Sequence, residues 1–122
     1  MPRIAVDLDG VLAEYHGHGE QEGLGAPLPG AREFVEQLAE AGWVVIVCSR
    51  NHDPEDVAIW LSENQFRGVS AVAPAAAGAV DATVFLDDRA LRFNGDFGPV
   101  LDLLLHSDPR PWWRRTASGA AH

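Results

Sequence analysis

The stretch Ile4-Ala5-Val6-Asp7-Leu8-Asp9-Gly10-Val11-Leu12 constrains this chain more than any other. Ile4 to Val6 is an apolar run too short for a helix of its own, and it reads as a buried strand near the N-terminus. Asp7 and Asp9 follow two apart. If the chain stays extended, the two-residue period of a strand sends both side chains the same way. Gly10 then permits a sharp turn. Two carboxylates on one side of a strand end repel each other, and the arrangement asks for a cation. Taken alone, Asp-x-Asp-Gly is equally an ordinary strand-ending turn, since both residue types favour turns. It is not a calcium loop. Counting from Asp7, the fifth and twelfth positions are Val11 and His18, so an oxygen ligand and the closing glutamate are both missing.

A length of 122 residues points to one domain able to bury its core without disulfides. The single cysteine, Cys48, lies inside the apolar run Trp43 to Cys48 and reads as a packed core thiol, neither nucleophile nor ligand. There is no N-terminal signal pattern and no apolar stretch near the roughly 20 residues that span a bilayer, so the expectation is a soluble, cytoplasmic protein without membrane contact. A net charge of −9 argues against general nucleic-acid binding, which needs a basic face. Every fixed positive side chain is an arginine, because the sequence contains no lysine.

Residues 12–29 read as a glycine- and proline-rich flap, long for a connection inside a compact domain. His16 and His18 within it are ligand candidates, though histidines in such loops are more often solvated. From Gly30 to Ala41, Phe34, Val35, Leu38 and Ala41 fall on a helical period, and Gly42 stands where a helix should stop. Trp43 to Cys48 is a strand buried on both faces and ends in Ser49-Arg50-Asn51-His52. Asp53-Pro54 reads as an N-cap and first turn. The helix it starts has an apolar stripe of Val57, Ala58, Trp60, Leu61 and Phe66 and is closed by Gly68. Val69 to Val72 and Thr83 to Leu86 are further strands, the latter ending in Asp87-Asp88-Arg89. Phe97 to His106 is a last helix.

This alternation predicts an α/β fold, a Rossmann-like three-layer sandwich with helices on both faces of a mostly parallel sheet and no cap domain. Residues 1–106 form the core and 107–122 a tail. Trp112 and Trp113, flanked by arginines, either pack back on the body, the favoured reading, or meet a partner chain or second copy. In parallel sheets ligands gather beyond the carboxyl ends of the strands, so Asp7 with Asp9, Ser49, and Asp87 with Asp88 should converge on one rim.

Asp7-Leu8-Asp9-Gly10-Val11 after a first strand, Ser49 after a second and Asp87-Asp88 after a fourth resemble motifs one, two and four of the haloacid dehalogenase superfamily of magnesium-dependent phosphohydrolases. Gly25-Ala26-Pro27-Leu28-Pro29-Gly30 and Asp87-Asp88-Arg89-Ala90-Leu91-Arg92-Phe93 resemble phrases of its small capless members. The resemblance implies that Asp7 is the nucleophile, forming an aspartyl-phosphate. It implies that Asp9 protonates the leaving oxygen and later activates water. Mg²⁺ would be held by Asp7, the backbone carbonyl of Asp9, and Asp87, with Asp88 bound directly or through water. Ser49 and the backbone N–H groups of Leu8 and Arg50 would bind the phosphoryl oxygens of a phosphorylated substrate.

The family's motif-three lysine or arginine is where this sequence departs. The resemblance places that position at Ala79. Removing one preorganised positive donor costs about 2.7–4 kcal/mol of transition-state stabilisation in comparable sites. Arg50 and Arg89, each beside a motif residue, are both candidates to supply the charge. The alternative is a non-catalytic relative that binds Mg²⁺ or a phosphorylated ligand as a regulatory subunit. A phosphoacceptor receiver domain is excluded, since its acid pair belongs on the first strand and its lysine late in the chain.

Overall fold

The computed structural model describes residues 1–15, 24–74, 81–88, 93, 95–108 and 110–113. His16, His18, Ala79 and Arg89 lie outside the described residues. The chain divides into two compact units, Met1–Asp87 and Asp88–His122.

The first unit is built on a four-stranded sheet of β1 (Arg3–Asp7), β2 (Val44–Cys48), β3 (Val69–Ala73) and β4 (Val84–Leu86), in the order β3-β2-β1-β4. All three pairings are parallel, which makes this an α/β, Rossmann-like fold. The central strands explain their composition. Ile4, Ala5 and Val6 of β1 and Val45, Ile46 and Val47 of β2 are buried, as continuous apolar runs covered on both faces should be. The order also shows where the chain reverses. From β1 it moves to β2 and β3, then returns past both to lay β4 on the other side of β1. The β1/β4 boundary is therefore a topological switch point, where crevices open at the carboxyl ends of parallel strands.

Helix α1 (Ala31–Glu40) buries Ala31 and Val35, with Leu38 partly covered against the same core. Phe34, expected on that face, is exposed, because the buried positions follow 31, 35 and 38 and leave 34 beside the stripe. Helix α2 (Pro54–Glu63) buries Val57, Trp60 and Leu61. Asp53 occupies its N-cap position, but its side chain makes no capping hydrogen bond. The helix also stops sooner than the apolar pattern implied. Gln65 adopts a left-handed φ of 60°, and Phe66 reaches the core from beyond the helix end, its ring 5.2 Å from that of Trp60. Ala58 is exposed.

The expected flap has an ordered base. Glu14 N–H donates to the Ala26 carbonyl at 2.8 Å and Leu28 N–H to the Leu12 carbonyl at 2.8 Å, and Leu12, Ala13 and Tyr15 are buried. Composition pointed to a plain loop because the segment is rich in glycine and proline; Leu12 and Ala13 nevertheless anchor it in the core. The two arms approach closely at Gly25, where a Cβ would lie 2.4 Å from the Glu14 carbonyl oxygen. Gly25→Ala should therefore cost about 1–3 kcal/mol in urea unfolding, as other overpacking substitutions do. A loss within about 0.3 kcal/mol would show that the arms separate freely.

In the second unit, α3 (Phe97–His106) starts at Asp96, whose carboxylate accepts from Gly98 N–H at 3.0 Å as an N-cap should. Arg110 forks onto Asp108. Trp113 is buried and its indole N–H donates to the Asp88 carboxylate, while Trp112 is exposed. Among the described residues no helix is long and apolar enough to cross a membrane.

Candidate metal and phosphoryl site

Register brings the acids together. Asp7 is the last residue of β1 and pairs with Cys48, so Ser49 lies one residue beyond it on the neighbouring strand. On the other side Val6 pairs with Leu86, which puts Asp87 level with Asp7 across the switch point. Asp7 and Asp87 each offer a carboxylate oxygen, and Asp88, next along the chain, completes a group whose three oxygens lie within 4.8 Å of one another. At an effective dielectric constant of about 20, two unit charges at that separation repel by roughly 3 kcal/mol. A cation among them turns this repulsion into attraction. An all-carboxylate set of hard oxygens, partly open to water, suits an ion such as Mg²⁺ that keeps some of its waters.

Asp9 goes elsewhere. Leu8 N–H extends the ladder by donating to the Cys48 carbonyl at 2.9 Å, but the chain then closes into a turn. The N–H groups of Val11, Leu12 and Ala13 converge on the Leu8 carbonyl, and Gly10 sits at φ 86°. This turn ends the extended period on which a common orientation of Asp7 and Asp9 depended. The Asp9 carboxylate, 5% exposed, is not a member of the acidic group. Its Oδ2 instead accepts from Ser49 Oγ–H at 2.9 Å and from Asn51 Nδ2–H at 3.0 Å, and its Oδ1 lies 3.5 Å from His52 Nε2.

Two expected phosphate donors are consequently occupied. The Leu8 N–H, expected as a phosphoryl donor, donates here to the Cys48 carbonyl. The Ser49 hydroxyl proton is directed at Asp9, while its oxygen accepts from Asn51 N–H at 3.2 Å. Arg50 does reach the acidic group. Its Nη2 is 3.9 Å from Asp87 Oδ2, but with 59% of the side chain exposed this is a loose, well-hydrated contact. Asn51 and His52 went unassigned in the sequence, although the polar run after a buried strand was the available signal.

Cys48 is a buried thiol within the field of this site. Burial, first, and then the charges of Asp7 and Asp87 push its pKa above the ordinary 9.0, with Arg50 opposing. The folded state thus holds this proton more tightly than the unfolded chain does. Its stabilising contribution is complete below about pH 9 and is lost as pH rises through the folded value. Denaturation midpoints should fall from pH 8 to pH 10 in the wild type and fall less in Cys48→Ala. Equal slopes would remove the thiol as the cause.

No family model matches the sequence and no curated protein matches it. Among solved structures, a conserved protein from Bacteroides thetaiotaomicron superposes with a TM-score of 0.53 at 22% identity, covering 84% of this chain and 88% of that one. A D,D-heptose 1,7-bisphosphate phosphatase from B. bronchiseptica, solved with magnesium and phosphate, gives a TM-score of 0.47 at 21% identity over 66% of this chain and 53% of its own. The second likeness is too distant to bear on function. What the first establishes is the fold: this chain shares a small α/β, Rossmann-like architecture with a solved bacterial protein.

Proposed function

We propose that the chain is a Mg²⁺-dependent phosphomonoester hydrolase of the haloacid dehalogenase type. The observation that supports this most is the meeting of Asp7 with Asp87 and Asp88, remote in sequence, at the switch point of a parallel sheet. In this reading Asp7, Asp87 and Asp88 hold the ion with the Asp9 backbone carbonyl. When bound, Mg²⁺ supplies positive charge to the transferring phosphoryl group. A carboxylate oxygen of Asp7 attacks phosphorus and the ester P–O bond breaks, its electron pair leaving on the alcohol oxygen. Asp9 gives that oxygen a proton. Water then attacks the aspartyl-phosphate, its proton passing to Asp9 as the bond to Asp7 breaks and the carboxylate is restored. Arg50 is the described cation nearest in role to the missing motif-three charge.

The test is turnover of para-nitrophenyl phosphate. Hydrolysis should require Mg²⁺, stop with EDTA and return when Mg²⁺ is added in excess. Undiminished hydrolysis in EDTA would overturn the metal-dependent reading. The lack of any lysine favours a second reading, a non-catalytic binder of Mg²⁺ or a phosphorylated ligand. It predicts a calorimetric Mg²⁺ signal with no turnover across a broad phosphate panel.

A further inference from the structure

The three residues after β2 that surround Asp9 divide its two oxygens between different tasks. Oδ2 is filled, because the Ser49 hydroxyl and the Asn51 side-chain amide both donate to it, at 2.9 and 3.0 Å. Asn51 is tied twice into the arrangement, since its backbone N–H also donates to Ser49 Oγ at 3.2 Å. The result is a closed circuit: Asn51 N–H to Ser49, Ser49 O–H to Asp9, and Asn51 Nδ2–H to the same Asp9 oxygen. Oδ1 is different. Among the described residues no donor closes on it at hydrogen-bond length, and His52 Nε2 stands off at 3.5 Å.

An oxygen already accepting two hydrogen bonds is a poor place for a proton, because protonation would set three hydrogens against its two lone pairs. A proton on a carboxyl group held this way belongs on the other oxygen. Burial sharpens the preference, since a misdirected polar hydrogen inside the protein has no water to turn to.

We infer that Asn51 is a positioning residue that, with Ser49, makes Asp9 Oδ1 the oxygen that gives and takes the proton. This rests on the phosphatase reading and deepens it. Asn51 touches no reacting atom in this scheme. It sets the plane of the Asp9 carboxyl and leaves Oδ1 as the oxygen on which no described donor closes at hydrogen-bond length. In the first step the leaving oxygen receives its electron pair from the broken P–O bond and its proton from Oδ1. In the second, Oδ1 accepts the proton of the attacking water.

A residue that aligns a general acid reveals itself through the leaving group. A poor leaving group needs the proton in the transition state, whereas a good one departs as an anion. The experiment compares wild type, Asn51→Ala and Asn51→Leu on phenyl phosphate and para-nitrophenyl phosphate, with Mg²⁺ affinity from calorimetry. Leucine retains the volume in case alanine loosens the loop. For both variants kcat should fall at least about thirtyfold on phenyl phosphate and less than about threefold on para-nitrophenyl phosphate. KM and the Mg²⁺ dissociation constant should stay within about twofold of wild type. An equal loss on both esters, no loss on either, or weakened Mg²⁺ binding overturns the inference while leaving the phosphatase reading standing. Absence of wild-type turnover on both esters overturns the phosphatase reading and this inference with it.

Discussion

Asp7→Asn should reduce kcat on para-nitrophenyl phosphate by roughly a thousandfold or more. The amide that replaces the carboxylate is nearly isosteric but has no anionic oxygen with which to attack phosphorus. The residue also stands in the acidic group with Asp87 and Asp88, so the substitution removes a formal charge from the ion's surroundings. Calorimetry should therefore show weaker Mg²⁺ binding as well. The two effects separate at saturating Mg²⁺. A shortage of metal is then relieved, whereas loss of the nucleophile is not, and the deficit in kcat should persist. Thermal melting of the variant checks that the sheet is intact. Retention of a tenth or more of wild-type kcat would remove Asp7 from its role and leave the acidic group as, at most, a binding site.

The largest expected effect on stability belongs to Trp60. Its ring is 7% exposed and tilts by 31° against Phe66, and its indole N–H donates to the Gly25 carbonyl at 2.9 Å. It thereby joins helix α2, the segment that follows it, and the base of the flap. Trp60→Ala would open a cavity among these and deprive the Gly25 carbonyl of its indole donor. The expected cost in urea unfolding is about 3–5 kcal/mol, a large fraction of a small domain's total stability. Trp60→Phe retains the ring contact and removes only the N–H, so about 1 kcal/mol should be lost. A cost near 1 kcal/mol for alanine would mean that the flap base is held chiefly by Leu12 and Ala13.

The relation between sequence and structure is clearest at the rim. The two central strands were legible because a buried parallel strand must be apolar on both faces, as in Ile4-Ala5-Val6 and Val44 to Cys48. The acids that end β1 and β4 were legible for the complementary reason, since charged residues interrupt such runs only where the chain emerges from the core. The helices followed from their apolar spacing. Their edges did not, because Phe66 reaches the core through a left-handed turn at Gln65 that no period describes.

By itself, then, the sequence determined the parallel α/β architecture and the convergence of Asp7 with Asp87 and Asp88. Both follow from local patterns and from the rule that parallel strands end on a common side. Only the tertiary structure decided how the polar groups at that rim pair. It separated Asp9 from Asp7, occupied the Leu8 N–H with Cys48, and placed Asn51 and His52 around Asp9. Hydrogen bonds are directional and short, so a turn of a few residues redirects them entirely while leaving the burial pattern unchanged. That is why the location of the site was written in the chain, whereas its internal connections were settled by the way β1 and the loop after β2 meet in space.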